Sequence, residues 1–257
     1  MITVRAILEV DSLSGGYHPR KAIIKNLNFS LHQGQLIGLI GLNGAGKSTT
    51  IKHILGLMKP HQGKVLIHGK TIDEDSEAYR SSYAYVPESP VLYEEMTVED
   101  HLKMIGMAYN VPKEAYEVEV ERLLKLYRMD VKRNMLTSHL SKGMKQKVMI
   151  MSALLAKPDL LIVDEPFLGL DPLGIRSLLE QLQDVKKMGS AILMSSHILG
   201  TVEQYCDGII MLEQGEVIAS GTVAEVTALA SKRFNQSVET LEDAFYLFVS
   251  EGEHHAF

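Results

Sequence analysis

One segment constrains the fold of this chain more than any other. Residues 41–49 read Gly-Leu-Asn-Gly-Ala-Gly-Lys-Ser-Thr, which fits the pattern G-x-x-x-x-G-K-S/T. The apolar run 35–40 before it predicts a β-strand, and residues 50–55 after it are helical in character. Strand, glycine-rich turn and helix in this order place backbone N–H groups and a positive helix N-terminus around a phosphate. The sequence therefore predicts a phosphate-binding loop in an α/β fold.

Two side chains of this segment are expected to act on the nucleotide directly. Lys47 is expected to bridge the β- and γ-phosphates as a point charge, and the Ser48 hydroxyl to ligate Mg²⁺. The nucleotide-binding residues expected from the whole segment are Gly41, Asn43, Gly44, Ala45, Gly46, Lys47, Ser48 and Thr49. The alternative is a glycine-rich turn without a ligand, and the predicted strand and helix on either side argue against it.

A second segment helps to decide which class of phosphate-loop protein the chain belongs to. Residues 160–163 are apolar and run into Asp164 and Glu165. A buried parallel strand places Asp164 at its carboxyl end, where ligands bind in open α/β sheets. We expect Asp164 to hold Mg²⁺, directly or through water, and Glu165 to orient the water that attacks the γ-phosphate. The alternative is that both carboxylates simply end a strand.

Composition and charge narrow the classes of protein further. Of 257 residues, 46% are hydrophobic and 23% are charged, which is enough for a core without disulfides or structural metal. Cys206 is the only cysteine, which excludes an intramolecular disulfide and indicates a reducing compartment such as the cytosol. The net charge of −6 repels nucleic acid, and no apolar run reaches the length of about 18 residues that a spanning helix needs. We therefore expect neither a nucleic-acid partner nor a membrane span.

A candidate second anion site lies between the two segments. Residues 139–147 read His-Leu-Ser-Lys-Gly-Met-Lys-Gln-Lys, and an apolar helical run follows. Ser141 is a good N-cap, and its hydroxyl and the free N–H groups of the first helical turn form an anion site. Seen alone, the segment is more simply a capped helix with a solvated basic face. Asp171, within Gly-Leu-Asp-Pro, and His197, after two serines, follow it along the chain.

The motifs in this order resemble the ATP-binding cassette (ABC) ATPase family over about residues 2–221. The resemblance implies that residues 41–49 are the Walker A loop and that residues 160–164 are the Walker B strand. Glu165 is then the catalytic carboxylate, and Lys47 and His197 complete the catalytic set.

The same resemblance assigns roles outside these two motifs. Ser141 and Gly143 belong to the signature that closes on ATP held by a second subunit, and Asp171 matches the D-loop. His197 is the switch histidine that contacts the γ-phosphate. Tyr17 is the aromatic residue that stacks on adenine.

Two positions depart from the family pattern. Glu88 stands where the family usually carries a glutamine that senses the γ-phosphate, and an ionised carboxylate accepts hydrogen bonds without donating them. We expect Glu88 to contact Mg²⁺ or water. The signature carries Lys142 and Met144 where Gly and Gln are commonest, so no contact of these side chains is inferred.

The resemblance implies an α/β fold, a P-loop NTPase ABC cassette with a RecA-like core, an N-terminal antiparallel β subdomain and a helical insertion. We expect the cassette at residues 1–221, the insertion at about 90–155, and a short C-terminal helical extension at 222–257. Three strings are similar to one branch of the family, the Ecs-type transporter ATPases of Gram-positive bacteria. They are residues 87–95, 141–151 and 165–173.

Cofactors, partners and location follow from the resemblance as expectations. The chain is expected to hydrolyse ATP with Mg²⁺, to pair with a second cassette when ATP is bound, and to drive a separate integral membrane permease. Its expected place is the cytoplasm, peripheral on the inner face of the cell membrane. Leu92 and Tyr93 are the expected permease contacts, unless they pack internally.

Two other classes of function remain open. One is a soluble, non-transport ABC ATPase that acts on ribosomes or DNA. Its translation-associated type resembles two linked cassettes, and its chromosome-associated type inserts a long coiled coil, neither of which this chain has. The other is a nucleotide kinase, which predicts neither a signature nor a switch histidine.

Overall fold

Two β-sheets form the framework of the protein. The computed structural model describes residues 6–167 and 169–254, so the outer ends of the expected cassette (1) and extension (257) lie outside the described residues. A three-stranded antiparallel sheet has the order β2-β1-β4, and a six-stranded sheet has the order β5-β6-β7-β3-β8-β9. Neighbouring strands from β5 to β8 are parallel, and β9 pairs antiparallel with β8.

Strands β3 and β6 form at the runs 35–40 and 160–163, where the sequence predicts strands. The bounds of the strands are β1 Ala6–Gly15, β2 Ile24–His32, β3 Leu36–Ile40, β4 Gln62–Ile67, β5 Tyr83–Val86, β6 Leu160–Asp164, β7 Ala191–Ser195, β8 Gly208–Glu213 and β9 Glu216–Gly221. The central strands β6 and β7 are buried along their whole length, as expected for parallel strands covered on both faces.

Helices cover the sheets and connect the strands. Their bounds are α1 Lys47–Ile54, α2 Ser76–Ser81, α3 Val98–Ala108, α4 Lys113–Leu126, α5 Lys142–Leu155, α6 Pro172–Lys187, α7 Leu199–Tyr205, α8 Val223–Phe234 and α9 Leu241–His254. Three of them, α3, α4 and α5, lie between β5 and β6, where the helical insertion was expected. No helix in the two described ranges is long and apolar enough to cross a membrane.

Successive residues of one strand pack into different cores. Leu161 and Val163 of β6 join the core formed with α3–α6 and α8–α9. Leu160 and Ile162 join the core formed with α1 and the antiparallel sheet. Burial on both faces explains why the run 160–163 contains no polar residue before Asp164.

Side-chain caps begin two of the helices, and the cap at Ser141 was expected. The Thr97 hydroxyl accepts from the Asp100 N–H and the Asp100 carboxylate accepts from the Thr97 N–H, which is a capping box with Asp in place of Glu. Ser141 caps α5 by accepting from the Met144 N–H at 3.3 Å. The α/β class, with an antiparallel sheet, a sheet of mainly parallel strands and inserted helices, is therefore as predicted.

Candidate nucleotide-binding site

The predicted phosphate loop forms the turn between β3 and α1. Gly46 has the left-handed φ of 111° and precedes α1, and Gly44 has a φ of 85°. A Cβ at Gly41 would lie 2.4 Å from the Leu212 carbonyl oxygen, so only glycine fits there. Lys47 is buried and donates to the Gly41 carbonyl at 2.7 Å, which holds its ammonium within the loop.

A cavity of about 640 Å³ opens beside this loop. Most residues expected to hold the nucleotide line it, together with the catalytic candidates. The lining residues are Tyr17, Ile23, Gly41, Leu42, Asn43, Gly44, Gly46, Lys47, Ser48, Thr49, Glu88, Glu165, His197, Leu199 and Phe245. Ala45 and Asp164 are buried next to it rather than part of its wall. The cavity is of the size that small-molecule sites usually have.

Asp164 ends β6 as a buried carboxylate. Its Oδ1 accepts from the Ser195 hydroxyl at 2.5 Å, and its Oδ2 lies 3.4 Å from the Tyr85 hydroxyl. Burial raises the pKa of Asp164 above its ordinary value, and the negative charges of Glu165 and Glu88 act in the same direction, while the Ser195 hydrogen bond opposes them. A cation at this point would offset the cost of the ionised form.

Glu165 follows Asp164 at the end of β6 and contacts three residues, Ser195, Lys47 and His197. Its backbone is left-handed, with a φ of 44°, and its N–H donates to the Ser195 hydroxyl at 3.0 Å. This turn directs the side chain away from Asp164 and into the cavity. Oε1 lies 4.0 Å from the Lys47 ammonium, and Oε2 lies 2.7 Å from His197 Nδ1. The strained backbone fixes one carboxylate between a lysine and a histidine.

The residues expected to hold Mg²⁺ suit a partial coordination sphere. Ser48 and Glu88 face the cavity, and Asp164 lies behind it. Hydroxyl and carboxylate oxygens are the ligands that Mg²⁺ prefers. Across the described chain no three His, Cys, Asp or Glu side chains cluster as a metal cage. The surplus of negative charge around Asp164 fits a divalent cation.

Tyr17 lies on the cavity rim with most of its ring exposed. Lys52, from α1, donates to the Tyr17 hydroxyl at 3.0 Å, and its ammonium lies 5.0 Å from the ring centroid. The Lys52 hydrogen bond lowers the pKa of the Tyr17 phenol. Lys52 therefore fixes a ring whose free face is open for stacking.

Three expected nucleotide-binding residues lie outside this cavity. Ser141 is at the exposed start of α5, and Asp171 caps α6 by accepting from the Gly174 N–H at 2.7 Å. A Cβ at Gly143 would lie 2.3 Å from the Gly169 carbonyl oxygen, so α5 begins in close contact with the loop that follows Glu165. Within one chain these residues do not complete the site that Lys47 lines.

Ser195, Tyr85 and Phe245 belong to the site, although the sequence predicts no role for them. Ser195 donates to Asp164 and accepts from the Glu165 N–H, and Tyr85 reaches Asp164 from the neighbouring strand. Their places at the ends of β7 and β5 are the only sequence signal for them. Phe245, on α9, has no such signal, because its helical spacing is that of an ordinary core residue.

Comparison with known proteins agrees with this geometry. Residues 24–168 match the family model described as ABC transporter. The chain is 50% identical to the ABC-type transporter ATP-binding protein EcsA of Bacillus subtilis (strain 168) over 250 residues, 97% of this chain and 99% of that protein. The Ecs-type resemblance is thereby confirmed.

Two solved structures are similar over most of their length. A structure described as the ATP binding subunit of an ABC transporter has a TM-score of 0.90 and 45% identity, covering 95% of this chain and 99% of that one. The cbiO1 protein of Clostridium perfringens, described as part of the ABC transporter complex cbiONQ, has a TM-score of 0.73 and 28% identity, covering 90% and 96%. Fold, site geometry and relatives agree that this chain belongs to the ABC transporter family, as one of its ATP-binding proteins, which are ATPases.

Proposed function

We propose that this chain binds Mg-ATP in the cavity beside the phosphate loop, hydrolyses it with Glu165, and so energises a separate membrane permease. The observation that carries the proposal is the placement of the Glu165 carboxylate. It lies between Lys47 and His197 in the wall of a cavity that the phosphate loop also lines. A carboxylate so placed suits an attack on the terminal phosphate.

Each residue of the site has a separate task in the proposed reaction. Glu165 accepts the proton of the attacking water and orients it. Lys47 neutralises charge that develops on the β- and γ-phosphates, and the loop N–H groups do the same from the helix N-terminus. His197 holds the Glu165 carboxylate in place and faces the γ-phosphate. When bound, Mg²⁺ would be held by Ser48, Asp164 and Glu88 and would supply positive charge to the phosphate oxygens.

A second copy of the cassette completes the site in this proposal. Ser141, Gly143 and Asp171 lie outside the cavity of their own chain, and the N-terminus of α5 offers free N–H groups and the Ser141 hydroxyl. A second chain facing the first would bring these groups to the γ-phosphate. ATP would then hold the dimer closed, and loss of the γ-phosphate would open it.

The loop before α3 is the proposed contact with the permease. Tyr93 has 59% of its surface exposed, whereas Leu92 is half-buried and packs against the core. Leu92 therefore packs internally, whereas the Tyr93 ring contacts His101 on one side, at 6.2 Å between centroids, and leaves more than half of its surface exposed. The name of the B. subtilis relative describes a transporter ATP-binding protein, and cbiO1 is part of a transporter complex. Both support a permease partner, with this chain on the cytoplasmic face of the membrane.

The alternative of a non-transport ABC ATPase has less support. The relatives reported above are described as transporter ATP-binding proteins. The net charge of −6 disfavours a nucleic-acid partner.

The proposal is tested by separating binding from turnover. Glu165→Gln should keep ATP affinity, trap an ATP-bound dimer seen by light scattering, and lose hydrolysis. Lys47→Ala should lose nucleotide binding in calorimetry. Glu180→Gln, which alters an exposed carboxylate on α6, is the matched control and should behave as wild type. Normal hydrolysis by Glu165→Gln would reassign the role of Glu165.

The permease contact needs its own test. Tyr93→Ala should reduce co-purification with a membrane protein and leave basal hydrolysis unchanged. Tyr246→Ala, which alters an exposed tyrosine on α9 rather than in this loop, should not reduce it. Equal co-purification of both variants and wild type would refute the docking role of Tyr93.

A further inference from the structure

The C-terminal helix α9 is anchored in the core along one face. Leu241, Ala244 and Phe248 are buried, and the Phe248 ring meets the Phe234 ring of α8 edge to face at 5.5 Å between centroids. Glu242 and Asp243 face solvent. This spacing is that of an amphipathic helix packed on a domain, so α9 is held in a fixed rotation.

The same anchoring packs α9 along α7. The Leu241 N–H donates to Glu203 Oε1 of α7 at 3.3 Å. Helix α7 begins at Leu199, two residues after His197, and Leu199 both packs on the core and lines the nucleotide cavity. One turn beyond Leu241, Phe245 therefore reaches the cavity beside the switch-histidine segment.

Phe245 is half-buried and forms part of the cavity wall. Among the lining residues in the described part of the chain, Tyr17 is the only other Phe, Tyr or Trp. The wall also carries the charged side chains of Lys47, Glu88 and Glu165. An aromatic ring at this point removes water from the cavity and offers a large apolar surface to a ligand.

We propose that Phe245 is a nucleotide-binding residue and that α9 is a wall of the ATP site. This inference rests on the proposed function, since it assigns a further residue to the same cavity. The ligand is a nucleoside triphosphate that contacts Phe245 while the phosphate loop holds its phosphates. The C-terminal segment is thus part of the site rather than packing alone.

Thermodynamic linkage follows from this arrangement. If docked α9 raises the affinity for nucleotide, bound nucleotide stabilises docked α9 by the same factor. Opening of α9 should therefore become rarer when the cavity is filled. Helix α4, which does not line the cavity, has no such direct link.

The experiment measures affinity and local opening on the full chain. Binding of the non-hydrolysable analogue adenylyl imidodiphosphate with Mg²⁺ is measured by calorimetry for wild type, Phe245→Ala and Tyr246→Ala. Phe245→Ala should weaken binding about three- to tenfold when measured well below its melting temperature. That melting temperature should be lower than that of wild type, because Phe245 also packs against the core. Tyr246→Ala, the exposed neighbour on α9 that does not line the cavity, should bind as wild type.

Hydrogen exchange on the unaltered protein gives a second readout. Saturating nucleotide should slow exchange in residues 241–249 by at least the factor that Phe245→Ala costs in affinity, and more than in α4. This measurement decides the question if Phe245→Ala does not fold. The proposal would be overturned if Phe245→Ala bound nucleotide with wild-type affinity, or if nucleotide did not change the hydrogen-exchange rates in α9. Nucleotide binding by wild type and its loss in Lys47→Ala test the proposed function separately.

Discussion

The imidazole of His197 lies 2.7 Å from the carboxylate of Glu165, Nδ1 to Oε2. The His197 backbone N–H reaches the same oxygen at 3.3 Å, and the other carboxylate oxygen faces Lys47 at 4.0 Å. The ends of β6 and β7 thus hold the proposed base and the proposed switch histidine in contact with each other. The contacts at this edge of the sheet therefore fix the orientation of the Glu165 carboxylate.

Loss of the His197 ring should reduce turnover more than binding. In His197→Ala the Glu165 carboxylate keeps the Lys47 ammonium and the backbone N–H of residue 197 as partners, but it loses the imidazole. We expect the kcat of ATP hydrolysis to fall about 100-fold, as small misplacements of a reacting group can cause, with nucleotide affinity within a few-fold of wild type. Steady-state kinetics and calorimetry measure the two quantities. A loss of affinity as large as the loss of kcat would show that His197 acts mainly in binding.

A methyl group at Gly143 should destabilise the fold of the single chain, independently of any contact with a second subunit. Its Cβ would lie 2.3 Å from the Gly169 carbonyl oxygen, a backbone atom that moves only with its loop. We expect Gly143→Ala to lower the free energy of unfolding by about 1–3 kcal/mol, as overpacking usually does. Thermal or urea unfolding of the nucleotide-free chain measures this change.

The matched control for Gly143→Ala is Gly200→Ala. Gly200 lies in α7 with no atom near the position of an added Cβ, so alanine should be neutral or stabilise the helix by up to about 1 kcal/mol. If Gly143→Ala unfolded like wild type and lost only hydrolysis, the role of Gly143 would be confined to the ATP of the partner.

The phosphate loop and both carboxylates were predictable because each depends on local sequence. A glycine pattern after a strand, or two acids after an apolar run, places its residues at a sheet edge whatever the rest of the chain does. Ser195 was less visible, since a serine ending a strand carries no chemical signature of its own. Its hydrogen bonds to Asp164 and Glu165 arise from the pairing of β6 and β7.

Residues brought in by tertiary packing could not be predicted. Phe245 has the same spacing as the buried residues of α9, and only the docking of α9 on α7 and β8 turns it toward the cavity. The Gly143 contact with Gly169 likewise joins the first turn of α5 to a loop that is distant in sequence. The sequence predicts a helical C-terminal extension, but nothing in it indicates that α9 forms part of a cavity wall.

Removing the Tyr17 ring should weaken nucleotide binding. Stacking of a base on an aromatic ring contributes about 1–3 kcal/mol, so Tyr17→Ala should lose about 10- to 100-fold in affinity. Tyr17→Phe keeps the ring and loses the hydroxyl with its Lys52 hydrogen bond, so its loss of affinity should be below about tenfold. Titration with ATP and with GTP should give similar losses, because every base has a π-face. Wild-type affinity in Tyr17→Ala would remove Tyr17 from the site.

Buried His101 should make stability depend on pH. Its side chain is in the core beside Tyr93, and Nδ1 has no hydrogen-bond partner. Burial lowers the pKa of His101 below its ordinary value of 6.5. As pH falls below that value the unfolded chain takes up a proton that the folded chain resists, so the free energy of unfolding decreases. The loss is at most about 1.4 kcal/mol per pH unit and continues down to the lower pKa of the folded state.

The contribution of His101 is isolated by comparing how steeply the free energy of unfolding changes with pH in wild type and in His101→Gln. His101→Gln removes the titrating group, whereas His53, which is also buried with a lowered pKa, remains in both proteins. Urea unfolding at pH 7.5 and 5.5 should therefore show a smaller loss of stability in His101→Gln than in wild type, even if the variant is less stable at both pH values. The difference between the slopes, not the absolute stability, carries the prediction, because the glutamine also changes packing against Tyr93. Equal slopes would mean that folded His101 accepts its proton as readily as the unfolded chain does, which its burial argues against.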